Sequence, residues 1–204
     1  IITIRKFEEK KFNIEALKGI STKTIEEHLK LYGGYVKNAN TILEKIEEMK
    51  QDSEKHAYAI GEVMRRFGFE YNGIRNHEVY FDSLADGAKE LTAESHLRKQ
   101  IEKDFNSFES WFAGFQAIAL TRGIGWAMLY YDRNEKRLLN AWIDEQHLGQ
   151  LQDCALILGL DMWEHSFVAD YQPSGKKAYV GDFFANLNWK KVKDWWRYIN
   201  KKYK

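Results

Sequence analysis

The stretch LGLDMWEHSFVADY, residues 158–171, decides how this chain is read. It continues an apolar run, residues 155–160, and then places Asp161 and His165 four residues apart, with Trp163 and Glu164 between them. A charged group leaving the most hydrophobic segment of a chain needs a partner, because burying an unpaired charge is costly. Residues 155–160 form a short, wholly apolar strand candidate, and residues 163–170 read as a helix. Asp161 then leaves a strand, and His165 follows one helical turn later.

Working outward, residues 125–131 (GWAMLYY) are an apolar, aromatic strand candidate. Residues 132–135 form a turn, and residues 138–143 form another strand. The spacing predicts one amphipathic helix over 94–114, carried by Leu97, Ile101, Phe105, Phe108, Trp111 and Phe112, and a closing helix over 182–202. In the N-terminal half, Ser21–Thr24 reads as a helix start. Apolar residues recur at three and four from Ile25 to Met49, past a weakening Gly33-Gly34 pair. Residues 55–67 read as a second helix, interrupted at 68–73 and resumed at 74–84, and residues 85–87 form a turn. The order implies an α+β fold: an N-terminal antiparallel helical hairpin, then a small three-stranded antiparallel sheet wrapped by helices. We expect a hairpin domain over 1–88 and a C-terminal α/β domain over 89–204.

The 204 residues include 31 basic and 30 acidic side chains, a net charge of +1, which argues against a nucleic-acid binder. No apolar run approaches the roughly 20 residues of a membrane span. The one cysteine, Cys154, excludes an intrachain disulfide and fits a reducing, cytoplasmic setting. It reads as a buried small hydrophobe. Aromatic residues reach 15%, enough for aromatic packing throughout the core.

Six histidines are present, and three fall on inward stripes. His28 shares a stripe with Ile25 and Leu29. His77 shares one with Gly73, Tyr80, Phe81 and Leu84. His165 follows the third strand. Three imidazoles and one carboxylate suit iron or manganese, and the lack of thiolates argues against structural zinc. His56 and His96 sit among charged residues and read as solvated.

LGLDMWEHSFVADY resembles the D-x-W-E-H-A-[FY]-Y signature of the iron/manganese superoxide dismutases. The likeness extends over nearly the whole chain. TIEEHLKLYGGYVKNAN (24–40) and FEYNGIRNHEVYFDSL (69–84) are similar to the two ligand helices, GIGWAMLYYD (123–132) to the G-x-G-W strand, and LNWKKVKDWWRYINKKY (187–203) to the closing helix. Through N-G-x-x-x-H at 72–77 the archaeal-type members look closest. The resemblance implies His28, His77, Asp161 and His165 as ligands of one iron or manganese ion per chain, with solvent at a fifth position. It implies dismutation of superoxide to dioxygen and hydrogen peroxide by alternating the metal's oxidation state. A structural or interaction protein on the same fold is the alternative.

The family places a Gln or His beside the metal-bound solvent from one of two positions. One is occupied here by Gly73, which offers no side chain. The other, fifteen residues before Asp161, is Gln146, with His147 as its rival. The family's gateway tyrosine corresponds to Tyr35, with Tyr32 as runner-up. Tyr35 lies one residue closer to the first ligand than is usual. A step of seven turns a helix by about 700°, so Tyr35 still stacks above His28. Trp126 and Trp163 match the hydrophobic cage around the metal. Glu164 matches the residue that meets a ligand histidine of a partner subunit, which implies a homodimer. Leu31, Tyr32 and Val168 replace the family's His–Tyr bridge across that interface. Arg75 and Lys30 are candidates for attracting the anionic substrate.

Overall fold

The computed structural model describes residues 5–202; Tyr203, the end of the closing motif quoted above, lies outside them. Two long antiparallel helices come first: α1, Thr22–Met49, and α2, Ser53–Leu84, joined by one 3-10 turn, Lys50–Asp52. Ser21 caps α1, its hydroxyl accepting the Thr24 amide over 3.1 Å. The buried side of α1 runs Ile25, His28, Tyr32, Val36, Ala39, Ile42, Ile46, the three-and-four spacing of one helix face. That face packs on α2.

The interruption expected at 68–73 does not occur, and α2 is continuous through Gly68 and Gly73. Each helical glycine costs ~1 kcal/mol, but Gly73 is where the Tyr35 ring approaches. A Cβ there would lie 2.7 Å from Tyr35 Cγ. Close packing of two helices outweighs the local propensity.

Helices α3, His96–Phe105, and α4, Phe108–Ala119, follow. They replace the single helix expected over 94–114. Asn106 has φ +68°, and the Ser107 hydroxyl accepts the Ser110 amide over 3.0 Å, so one helix ends and a capped one begins. Strands β1 (Gly125–Asp132), β2 (Arg137–Asp144) and β3 (Cys154–Asp161) form an antiparallel sheet in the order β2-β1-β3. Central β1 is buried along nearly its whole length. Its register sets Trp126 opposite Asp161, which fixes the end of β3 beside the core. Cys154 is half-buried at the start of β3, where burial pushes its thiol pKa up.

After β3 the expected helix over 163–170 is instead a 3-10 turn, Glu164–Ser166, and a single turn, α5, Val168–Tyr171. Between them Phe167 departs from helical geometry at φ −143° and buries its ring on Tyr179 at 5.4 Å. The closing segment is likewise two helices, α6 (Lys176–Asn186) and α7 (Trp189–Lys202). The break serves the end of α2. Asn188 donates its amide N–H to Ser83 O and its side chain to Ala85 O, both over 2.8 Å. No helix of the described residues is long and apolar enough to cross a membrane.

Candidate metal centre

His28 comes from α1, His77 from α2, Asp161 from the last residue of β3, and His165 from the 3-10 turn beyond it. One ligand atom from each lies within 4.8 Å of the others. His28 Nε2 is 3.0 Å, His165 Nε2 3.1 Å and His77 Nε2 3.5 Å from the same oxygen, Asp161 Oδ2. His28, His77 and Asp161 are fully buried, and the His165 side chain is 22% exposed.

Neighbouring groups aim these atoms. His77 Nδ1 lies 2.6 Å from Gly73 O. A carbonyl only accepts, so Nδ1 carries the proton and Nε2 presents a lone pair. That Nε2 is buried with no hydrogen-bond partner. Asp161 Oδ1 accepts the Trp163 amide over 2.8 Å, which leaves Oδ2 facing the imidazoles. Burial lowers the His77 pKa to about 3, helped by the neighbouring His28, and burial also lowers that of His28 against the pull of Asp161. For Asp161, burial alone would raise the pKa, but the His165 and His28 imidazoles outweigh it and hold the carboxyl well below its usual range. Three imidazoles and one carboxylate converging on a common point match what a divalent or trivalent transition metal requires, so the residues fit such an ion.

Around the donors lies an aromatic shell. The Trp126 ring stands edge-on to His77 at 5.0 Å, and Trp163 stacks on His165 at 5.7 Å. Trp126 Nε1 donates to Gln146 Oε1 over 3.0 Å, and Gln146 Nε2 donates to the Tyr35 hydroxyl over 3.0 Å. An indole N–H only donates, so it fixes which way the Gln146 amide points. The Tyr35 ring is 5.0 Å from His77. Its phenol pKa is raised, by burial first and then by Asp161 and Glu70. Tyr32 is elsewhere: its hydroxyl accepts the Lys10 amide over 2.9 Å and donates to Glu78 over 3.3 Å. His147 lies outside the donor cluster and meets the Phe69 ring at 5.6 Å.

Several neighbours of the centre were not singled out from the sequence. Phe69 lies between Tyr35 at 5.8 Å and Trp163 at 6.5 Å. The Arg66 guanidinium sits 3.6 Å over the Phe69 ring and its Nε lies 3.0 Å from Glu70. The spacing of Arg66, Phe69 and Glu70, three and four apart on one helix, was the available signal. The two cations that were singled out are engaged in ion pairs, Arg75 with Glu78 at 2.8 Å and Lys30 with Glu27 at 2.6 Å. His56 is half-buried and His96 exposed, both outside the donor cluster. Glu164 and Leu31 are exposed, and Val168 is half-buried.

Comparison with known proteins agrees with this geometry. Residues 6–85 match the alpha-hairpin domain of the iron/manganese superoxide dismutases, and residues 93–195 match their C-terminal domain. The chain is 36% identical over 179 residues to a superoxide dismutase [Fe] of Cupriavidus metallidurans, covering 86% of this chain and 88% of that protein. It is 32% identical over 167 residues to a superoxide dismutase [Fe] of Pyrobaculum aerophilum, covering 81% and 78%. It is 34% identical over 167 residues to a superoxide dismutase [Mn] of Mycobacterium avium, also covering 81% and 78%. The chain belongs to the iron/manganese superoxide dismutase family.

Proposed function

We propose that His28, His77, Asp161 and His165 hold one iron or manganese ion per chain, and that Tyr35 and Gln146 manage protons beside it. As a member of its family the protein is an enzyme that converts superoxide to dioxygen and hydrogen peroxide. A bound ion supplies one-electron chemistry, alternating between its trivalent and divalent states as successive superoxides give up and take an electron. The observation that carries the ligand assignment is the convergence of three Nε2 atoms on Asp161 Oδ2 in the core.

The chain's own residues do the rest. Gly73 O holds the His77 tautomer, and the Trp163 amide holds the Asp161 carboxylate. Trp126, Trp163 and Phe69 line the site with apolar rings that restrict water. The Tyr35 phenol accepts the Gln146 amide, which fixes its position and leaves its own proton, held at neutral pH, free to donate. Peroxide formation needs two protons, and this relay is where one can enter. All four donors are present, and among the described residues no feature favours a structural role on the same fold.

Three broader readings accompany this one. We place the domain division at 1–88 and 89–204. A homodimer with Glu164 at its interface draws support from exposed Ile124 and Leu148. Both flank the loop whose Glu145 carbonyl accepts the Trp163 indole N–H, next to Glu164. A cytoplasmic location draws support from the single cysteine.

The test is metal analysis of purified protein, then removal of the metal and reloading with iron or manganese alone. Stoichiometric metal with superoxide consumption restored by either metal is the expected result. Protein that binds neither metal, or binds without consuming superoxide, overturns the assignment.

A further inference from the structure

A line of oxidisable rings leads away from the donor cluster. The Tyr80 ring packs 5.0 Å from His28 and 6.2 Å from Trp126. Its phenol oxygen lies 3.1 Å from that of Tyr179. Both tyrosines are fully buried. The Tyr179 ring is 5.7 Å from Tyr171, which is half-buried and donates its hydroxyl to Asp182 Oδ2 over 2.9 Å. Packing does not demand these hydroxyls. The rings beside them, Phe81, Phe183 and Phe167, are phenylalanines. Phenylalanine at 80 and 179 would leave no buried hydroxyl to satisfy.

We propose that Trp126, Tyr80, Tyr179 and Tyr171 carry oxidising equivalents from the metal centre to the surface, so that oxidation falls on Tyr171 and spares the ligands. The inference rests on the dismutase reading, which puts hydrogen peroxide beside these rings. One peroxide that takes up two electrons and two protons leaves as two waters. Two tyrosines are each left one electron and one proton poorer. Tyr80 and Tyr179 each give up the phenol proton when they lose an electron, because an oxidised phenol is strongly acidic. The contact between their hydroxyls gives that proton a path inside the core. At Tyr171 the Asp182 carboxylate accepts it. A soluble thiol at the surface restores the phenol by returning one electron and one proton.

The test treats metal-loaded protein with hydrogen peroxide and maps modified residues by mass spectrometry. Tyr171 is expected to be the main site of oxidation or tyrosine cross-linking, with several-fold less in metal-free protein. Tyr179→Phe keeps the ring and removes the link. It is expected to cut Tyr171 modification several-fold and raise that of Trp126, with metal content and superoxide consumption unchanged. Tyr171→Phe, a change at the surface, is expected to raise modification at Trp126 and Tyr80. Equal Tyr171 modification in metal-free protein or in Tyr179→Phe overturns the proposal, as does an unchanged pattern in Tyr171→Phe. Superoxide consumption on the same samples separates the two readings. Metal-loaded protein without consumption sinks the dismutase assignment, whereas consumption with Tyr171 unmarked sinks only this route.

Discussion

His77 and Glu78 are consecutive on α2, yet they belong to two buried carboxylate clusters of opposite kind. Glu78 is 6% exposed and is met by donors, two of them cations: Lys10 Nζ at 3.1 Å, Arg75 at 2.8 Å and the Tyr32 hydroxyl at 3.3 Å. Asp161, at 0%, is met through Oδ2 by three imidazoles, two of which burial drives toward neutrality. In the first cluster two cations neutralise the carboxylate. The second gathers three imidazoles around a single negative charge, an arrangement a metal cation stabilises. Two acids with similar burial thus have different roles, and the partners' protonation tells them apart.

The largest effect that tests this contrast is loss of the metal. His77→Ala is expected to remove bound metal and superoxide consumption together, read by elemental analysis and a turnover assay. A variant that keeps both removes His77 from the ligand set. Gln146→Ala should retain metal but slow turnover by about 10–100-fold and shift the metal's potential. An unchanged rate and spectrum would transfer its role to His147.

Acid should separate the two clusters next. The His77 pKa is lowered to about 3, mainly by burial, so the folded protein refuses a proton that the unfolded chain accepts below about pH 6.5. A group with a lowered folded pKa contributes stability above its unfolded pKa and loses it as pH falls. Metal-free protein is therefore expected to melt at progressively lower temperature from about pH 6.5 toward 3. The lowered Asp161 pKa adds to the loss below about pH 4. Melting temperatures that rise with acidification would contradict this. The smallest change belongs to the balanced cluster. Glu78→Gln should cost about 1–3 kcal/mol of stability in denaturant unfolding and leave metal content and rate untouched. Loss of metal in that variant would erase the distinction.

Much of the fold was legible. The three-and-four spacing of α1 and the apolar runs of the strands carry their elements openly, because one buried face repeats with the period of the backbone. The misreadings fall where a distant contact intervenes. Gly68 and Gly73 read locally as a break, but α2 runs through both, and the missing side chain at Gly73 makes room for the Tyr35 ring. Residues 182–202 read as one helix, but Asn188 leaves it to satisfy Ser83 and Ala85 at the end of α2. At the candidate site, the residue types and their motif resemblance pointed to His28, His77, Asp161 and His165. The neighbourhood of Phe69, Arg66 and Glu70 did not stand out, since on sequence alone they are an ordinary amphipathic turn.

By itself the sequence determined an α+β order, inward-facing imidazoles and a donor chemistry suited to iron or manganese. Residue type and short-range periodicity report which side of an element is buried. Only the tertiary structure decided that His28 meets Asp161 across 133 positions, that Tyr35 rather than Tyr32 receives the Gln146 amide, and that Glu78 pairs away from the cluster its neighbour joins. Periodicity fixes a residue's direction around its own axis; which two faces meet is settled by the packing of the whole core.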